Sequence, residues 1–169
     1  MILAPTWYDP CRDRLCSFEE AVDQLEAETR AFRDDRHGHV GLGMRLWKRA
    51  TLQKVFGRER RIVFSGSPAR ALARAERDGR GLLVWAGKEP PDLSAPVPIR
   101  RVEDGFLRSR GLGAELVPPL SLVADDLGIY YDPTRESRLE RLMAAPLPYP
   151  ARARAARLRA RLVASGITK

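Results

Sequence analysis

The sequence has few of the side chains that bind metals. It contains two cysteines and two histidines in 169 residues. Cys11 and Cys16 have the spacing C-x4-C, and no histidine pair or further cysteine completes a ligand set. Zinc sites use about four such ligands, or three and an open position. The sequence therefore predicts no metal site. It also favours two free thiols over a disulfide, as in a reducing compartment.

Long apolar runs are also lacking. No stretch reaches the roughly 18 residues that cross a bilayer. The opening residues, MILAPTWYDP, have neither the basic region nor the long apolar region of a secretory signal peptide. We therefore expect a cytoplasmic protein.

Acidic residues are outnumbered by basic ones, 22 against 30, so the net charge is +8. This balance favours anionic partners such as nucleic acid, a membrane surface or acidic sugars. Many arginines fall in residues 151–164, ARARAARLRARLVA. That segment predicts a helix whose thin apolar side favours a solvated or domain-bridging position over a membrane-surface one. A GC-rich genome also produces Arg-rich, Lys-poor chains, so the charge has two open explanations.

The first third of the chain predicts helices. Residues 1–16 are rich in turns and predict no regular element. Ser17, with a glutamate three residues later, is a capping box, and apolar spacing predicts a helix over 18–33. The run 40–56 has helical spacing in its second half, where basic residues flank Trp47. A helix that packs its apolar side is favoured there over an aromatic-basic surface for nucleic acid.

The middle of the chain predicts strands that alternate with a helix or a long loop. The predicted strands are 61–64, 82–85 and 97–102. A helix over 69–77 joins the first two, and such units pair in parallel. The expected fold is α/β with a Rossmann-like parallel sheet. Ser65-Gly66-Ser67 lacks a phosphate-binding glycine pattern, so we interpret Ser67 as a helix cap. Further strands are predicted at 121–123 and 129–131, and a helix at 137–143.

Two adjacent carboxylates follow the third predicted strand. Glu103 and Asp104 come directly before Gly105. Three arginines flank them: Arg100, Arg101 and Arg108. Ligands of α/β sheets lie beyond the carboxyl ends of strands, where such acids would meet them. A solvated turn that ends a strand has the same local sequence, so both interpretations stay open on this pattern alone.

A longer stretch around these acids resembles a known family. Residues 102–143, VEDGFLRSRGLGAELVPPLSLVADDLGIYYDPTRESRLERLM, are similar to the signature of the capsule polysaccharide biosynthesis and export family, of the KpsC/LipB-type retaining β-Kdo transferases. The resemblance runs from about Trp47 to Lys169. It implies a GT-B-like glycosyltransferase that moves 3-deoxy-manno-octulosonic acid (Kdo) from CMP-Kdo to a β-linked Kdo chain on phosphatidylglycerol. CMP-Kdo would be the donor substrate, with no separate cofactor.

The resemblance also implies roles for residues. Retention by two displacements needs a nucleophile and a group that transfers a proton. Glu103 matches the glutamate of the family's Glu-Asp-Gly motif and would be the general base for the acceptor hydroxyl. Asp104 would orient Glu103 or form a hydrogen bond near it. The implied substrate-binding residues are Gly105, Arg108 and Ser109. Arg108 would pair with the Kdo carboxylate. The family's nucleophilic aspartate and nucleotide-binding His-Pro motif would lie beyond Lys169.

The same resemblance implies the interior of a longer, two-module protein. Residues 1–57 would be a mainly helical inter-module segment, 58–150 the Rossmann-like half-domain, and 151–169 a helix leading to a missing second half. The expected partners are a Kdo-containing glycolipid acceptor, that second half of the same protein and, peripherally, the inner membrane. The chain is predicted to be inactive alone.

Two other classes of function stay open. A non-catalytic module for acidic-glycan binding or capsule export would bind acceptor without turnover. Nucleic-acid binding rests on charge alone and is not the expected partner. It would depend strongly on salt and would not respond to changes at Glu103 or Arg108.

Overall fold

A five-stranded sheet is the centre of the fold in the part of the chain that the structure describes, residues 6–108, 116–147 and 149–166. The structure is a computed structural model. A short antiparallel hairpin comes first, β1 (Trp7–Asp9) and β2 (Arg14–Cys16). The strands of the sheet then follow as β3 (His39–Leu42), β4 (Val63–Ser65), β5 (Gly81–Trp85), β6 (Ile99–Asp104) and β7 (Leu122–Asp125).

The sheet has the order β4-β3-β5-β6-β7. The first four strands are parallel, and β7 pairs antiparallel with β6. From β3 the chain winds to β4 on one side, and from β5 it winds to β6 on the other. The direction of winding therefore reverses between β3 and β5, as in doubly wound folds. This confirms the predicted α/β class and the Rossmann-like half-domain.

The helices that the structure describes are α1 (Phe18–Asp35), α2 (Leu46–Phe56), α3 (Pro68–Asp78), the 3₁₀ helix η1 (Ala86–Lys88), α4 (Arg138–Ala144) and α5 (Tyr149–Ala164). Ser17 and Glu20 form the predicted capping box of α1. Ser67 caps α3, with Pro68 in its first turn. These side chains start the helices where the sequence predicts because they accept from N–H groups that a first turn leaves without partners.

Helices cover both faces of the sheet. On one face, Leu82 and Val84 of β5 belong to an apolar core that includes α3. On the other, Leu83 packs in a core with Leu52 and Phe56 of α2. Side chains alternate between the faces of a strand, so a strand covered on both faces reads as a continuous apolar run. That is why β5 was recognisable from its sequence.

The internal strand β3 was not predicted. All four of its residues are buried, and it pairs with both β4 and β5. Gly41 weakens the local preference for a strand. A Cβ there would lie 2.8 Å from a ring carbon of Phe64, so the pairing with β4 requires the glycine. This strand forms because it pairs with β4 and β5. It lies within residues 1–57, the predicted inter-module segment, and is part of the five-stranded sheet.

Two other local predictions were wrong. Residues 7–16 form the β1–β2 hairpin, and residues 129–131 form a turn rather than a strand. The carboxylate of Asp125 accepts from the backbone amides of Gly128 and Arg138 at 2.9 and 2.7 Å. A side chain that satisfies nearby amides in this way stabilises a turn, which leads the chain away from the sheet.

The C-terminal helix α5 contacts α1 through charge. Arg154 Nη1 lies 3.1 Å from Asp23 Oδ2, while Leu158 and Val163 are exposed. The helix is Arg-rich, as its sequence predicts. Across the described ranges, no helix combines the length and the apolar content that a bilayer crossing requires.

Candidate functional site

A cavity opens where the winding of the sheet reverses. Doubly wound sheets bind ligands at this point, beyond the carboxyl ends of the strands, because the neighbouring loops leave in opposite directions. Here the cavity has a volume of about 330 Å³ and lies beyond β3, β5 and β6. We call it the switch-point cavity. Its walls are formed by Gly43, Arg45, Trp47, Lys48, Trp85, Gly87, Lys88, Asp104 and Arg108.

Positive charge dominates this lining, with four basic side chains and one carboxylate. Arg45 and Lys88 are exposed and form no ion pair with any residue that the structure describes. The indole Nε1 of Trp47 is buried and has no hydrogen-bond acceptor among those residues. Charged donors such as Arg45 and Lys88 bind carboxylates and phosphates. No group of three or more potential metal ligands occurs in the described ranges.

Lys48, in the first turn of α2, is the buried cation of the cavity. Its Nζ lies 3.1 and 3.2 Å from the two carboxylate oxygens of Asp104 and 3.5 Å from the centre of the Trp85 ring. Only 8% of the residue is exposed. Burial lowers the pKa of Lys48, although the Asp104 carboxylate acts in the opposite direction. The ion pair and the cation–π contact together hold the ammonium group.

Gly43 allows the turn between β3 and α2 to approach η1. Its φ angle is +75°, in the left-handed region that favours glycine. A Cβ at this position would lie 2.7 Å from the Cβ of Lys88. Any other residue would therefore strain the backbone and displace Lys88 from the cavity wall.

Asp104 and Arg108, both singled out from the sequence, lie together in the cavity. Arg108 Nε donates to Asp104 Oδ2 at 2.8 Å, and Arg108 Nη2 donates to the carbonyl of Val117 at 2.8 Å. Asp104 thus accepts from two cations, Lys48 and Arg108. Pairing of Arg108 with a substrate carboxylate stays a prediction.

Glu103 lies on the other face of β6, because successive side chains of a strand alternate. Its carboxylate accepts from the backbone N–H of Asp104 at 3.0 Å and from the hydroxyl of Tyr131 at 3.4 Å. Burial, followed by the charge of Glu103, raises the pKa of Tyr131 to about 12. Glu103 does not line the switch-point cavity. The structure therefore separates the two adjacent acids, and the general-base role of Glu103 stays a prediction.

Gly105 is packed against the segment that enters β7. Its N–H donates to the carbonyl of Ser121 at 2.9 Å, and a Cβ would lie 2.3 Å from Ser121 Oγ. This close approach explains the glycine without a ligand. Ser109, the other predicted substrate-binding residue, lies outside the described residues.

Sequence reasoning missed the contribution of the turn after β3. The predicted helix is present as α2 and packs its apolar side, but its first turn also brings Trp47 and Lys48 into the cavity wall. The available signal was the order of the segments in residues 40–48, VGLGMRLWK. A short apolar run, a glycine turn and a helix start form the strand–turn–helix unit at which α/β proteins bind ligands.

Comparisons with known proteins point to one family. Residues 94–167 match the family model described as capsule polysaccharide biosynthesis protein. The matched segment contains β6, β7, α4 and α5. It supplies Asp104 and Arg108 to the switch-point cavity.

Two curated relatives agree with this match. The capsule polysaccharide modification protein LipA of Neisseria meningitidis, in a serogroup A and a serogroup B strain, is 44% identical over 108 residues, 60% of this chain and 15% of LipA. The lipopolysaccharide-processing protein LpsZ of Rhizobium meliloti is 58% identical over 52 residues, 31% of this chain and 12% of LpsZ. The chain thus spans about 15% of the length of LipA. The family match over residues 94–167 and both relatives thus support the predicted resemblance to a capsule polysaccharide biosynthesis family.

Proposed function

We propose that this chain is the sugar-binding part of a glycosyltransferase of capsule biosynthesis. The sugar transferred is Kdo, from CMP-Kdo to a β-linked Kdo chain on phosphatidylglycerol. The observation that carries the proposal is the cationic switch-point cavity, to which the family-matched segment contributes. The names of the relatives specify no sugar, so the choice of Kdo rests on the resemblance of residues 102–143.

The cavity suits a sugar acid. Arg45 and Lys88 have no ion-pair partner among the described residues, so they are available to a sugar carboxylate beside Arg108. Trp47 and Trp85 offer aromatic surface to the C–H groups of a sugar ring. The volume of about 330 Å³ is in the range of small-ligand sites.

The two acids have different roles in this proposal. Asp104 is a positioning residue, because it holds Lys48 and Arg108 in the cavity wall. Glu103 acts from the other face of β6. A second cavity of about 370 Å³ adjoins the first at Gly87 and is lined by Tyr131, the hydrogen-bond partner of Glu103. Glu103 itself does not line that cavity, so the proton of an acceptor hydroxyl bound there would pass to the Tyr131 oxygen as Tyr131 gives its own proton to Glu103, the general base.

Calorimetry with Kdo and its methyl ester tests the binding step. The ester keeps the ring and loses the charge, so its affinity should be roughly tenfold lower, the difference expected for a charge-assisted hydrogen bond. The variant Arg45→Gln/Lys88→Gln should weaken Kdo binding by a similar factor. Arg58→Gln, at an exposed arginine outside the cavity, is the matched control. Equal binding of acid and ester, or no effect of the double variant, would overturn the assignment.

Two further measurements address the acceptor and the reaction. Glu103→Ala should abolish binding of a β-linked Kdo disaccharide without affecting Kdo binding in the switch-point cavity. Mixing the chain with CMP-Kdo and a Kdo-lipid acceptor should give no turnover, because no nucleophile is assigned within these residues. Robust turnover would refute this division of the site. The non-catalytic alternative gains no specific support from the family match or the cavity.

A further inference from the structure

Helix α1 exposes its large apolar side chains. Four of them are exposed: Phe18, Val22, Leu25 and Phe32. Leu25 is 63% exposed, and the centre of the Phe18 ring lies 5.1 Å from that of Trp7. Residues of α1 that are more covered are small or polar, such as Ala21 and Gln24. Isolated exposed apolar residues are common, but a row of them along one helix indicates an interaction surface.

The spacing of this row is that of a coiled-coil seam. Together with Thr29, its members alternate at intervals of four and three residues: Phe18, Val22, Leu25, Thr29 and Phe32. In a coiled coil these intervals define the a and d positions, whose side chains insert between those of a second helix. A cavity of about 430 Å³ lies along the middle of the row, with a lining that includes Val22, Leu25 and Thr29. We call the row the α1 seam.

Helix α5 has a seam with the same intervals. Its members are Ala151, Ala155, Leu158 and Leu162. Leu158 is exposed and Leu162 is partly buried. Two of the four are alanines, whereas the α1 seam contains two phenylalanines. Small side chains that face large ones allow two helices to interdigitate, so the two seams are complementary in size.

The positions that flank the two seams carry opposite charge. In a coiled coil the flanking e and g positions form ion pairs between helices and set the choice of partner. Those of α5 are all arginines: Arg152, Arg154, Arg159 and Arg161. Those of α1 include four acids: Glu19, Glu26, Glu28 and Asp35. The other two flanking positions of α1 are Ala21 and Arg33.

Some of these flanking charges have partners within the chain, and others do not. Asp35 is buried and paired with Arg100, and Glu26 is paired with Arg30. Four exposed flanking residues form no ion pair with any residue in the described ranges: Glu19, Glu28, Arg159 and Arg161. Each helix therefore keeps two charges, of opposite sign on the two helices, that a second helix can neutralise.

The two seams do not cover each other within one chain. Arg154 of α5 donates to Asp23 of α1 at 3.1 Å, and Asp23 lies outside the α1 seam and its flanking positions. Leu25 and Leu158 stay exposed. Pairing of α1 with a second α1, or of α5 with a second α5, would bring charges of like sign together, which opposes association. The charges therefore favour α5 of another copy as the partner of α1.

We propose that two copies of this chain associate, and that α5 of each copy covers the α1 seam of the other. The same surface is used on both copies, so the contact closes with twofold symmetry. Each seam covers about two heptads, fewer than the three or four of a stable coiled coil, and we expect a reversible dimer. The interface is independent of the proposed function, because neither α1 nor α5 lines the two cavities assigned to sugars.

Sedimentation velocity of the full chain tests the dimer. Concentrations up to about 1 mM detect dissociation constants in the millimolar range and below. Glu19→Arg/Glu28→Arg reverses the two unpaired acids of α1, and Arg159→Glu/Arg161→Glu reverses two arginines of α5. Each variant alone should raise the Kd of the dimer at least roughly tenfold, because several exposed ion pairs become like-charge contacts. An equimolar mixture of the two variants should restore the affinity, since each α1 then meets an α5 of opposite charge.

Leu25→Asp tests the apolar part of the interface. It places a carboxylate in the α1 seam and should raise the Kd at least roughly tenfold, because burial of an unpaired charge is unfavourable. Two matched controls should leave the Kd unchanged. Leu46→Asp changes an exposed leucine of α2, and Arg58→Glu/Arg70→Glu reverses two exposed arginines outside both seams. Circular dichroism checks that each variant keeps its helices, as expected for changes at exposed side chains.

Three outcomes would contradict the proposal. A chain that stays monomeric over the whole concentration range would refute the dimer. A dimer that Arg159→Glu/Arg161→Glu leaves unchanged would exclude α5 from the interface and place α1 against itself. A mixture of the two charge-reversed variants that stays monomeric would overturn the pairing of acidic with basic flanks. None of these results depends on whether Kdo binds in the switch-point cavity.

Discussion

Replacing Asp104 with asparagine tests the ion-pair centre of the switch-point cavity. The change keeps the shape of the side chain and removes its charge. Lys48 Nζ and Arg108 Nε lie 3.1 and 2.8 Å from this carboxylate. Their side chains are only 10% and 12% exposed. The variant would therefore remove a shared carboxylate from two nearly buried cations that lie side by side.

Two opposing effects set the size of the loss. Unit charges about 4 Å apart interact by about 4 kcal/mol at the effective dielectric constant of a protein site, and desolvation offsets much of that gain. Removing one partner of a buried pair costs about 3–5 kcal/mol, because the other charge stays buried. Since 23% of the Asp104 side chain is exposed, water replaces part of what is lost. We expect the free energy of unfolding to fall by about 2–3 kcal/mol.

Urea unfolding at neutral pH, followed by circular dichroism, measures this loss. Glu103→Gln is the matched control, with an expected change below about 1 kcal/mol. The Glu103 side chain has no ion pair with a described residue, and a glutamine oxygen can keep one of the two hydrogen bonds that it accepts, at 3.0 and 3.4 Å. A double-mutant cycle with Lys48→Met should give a coupling of about 1–3 kcal/mol. An unfolding midpoint for Asp104→Asn equal to that of the wild type would refute the reasoning.

Three further predictions follow from single contacts. Burial lowers the pKa of Lys48 in the folded chain, whereas the pKa of this lysine in the unfolded chain is the ordinary 10.5. The unfolded chain therefore binds more protons, and the free energy of unfolding should rise with pH between the lowered pKa of the folded chain and 10.5. Lys48→Met should abolish that rise in urea melts, and an identical rise in the variant would contradict the assignment. Glu103→Gln should lower the pKa of Tyr131 from about 12 in an ultraviolet titration, since the glutamate charge and hydrogen bond both raise it. An unchanged titration would show that the two side chains do not interact. Gly43→Ala should destabilise the chain by about 1–3 kcal/mol, because φ is +75° and a Cβ would meet Lys88 at 2.7 Å. Gly79→Ala has a similar φ of +62° but open space around it, so in thermal melts it should lose only about 1 kcal/mol; equal losses would exclude the contact.

Elements with strong local signals were predictable. Ser17 and Ser67 cap their helices because each side chain accepts from the backbone amide three residues later. Such a contact can be predicted from the local sequence. The apolar run of β5 was recognisable because both faces of that strand are buried. The strand at residues 39–42 had no such signal, since its conformation comes from pairing with strands on both sides. The prediction of a strand at 129–131 failed because the Asp125 carboxylate stabilises a turn.

For the site, sequence patterns were enough to predict that carboxylates and arginines follow a strand of an α/β sheet, and that residues 102–143 resemble a capsule biosynthesis family. Which of the two acids faces the cavity depends on the packing of the fold. Alternation along β6 turns Asp104 towards it and Glu103 away, and that orientation depends on which helix covers each face. Lys48 meets Asp104 across 56 residues of chain, because β3 pairs beside β5 and carries the start of α2 to the same edge of the sheet. No local pattern encodes that contact, since it exists only once the strands are aligned.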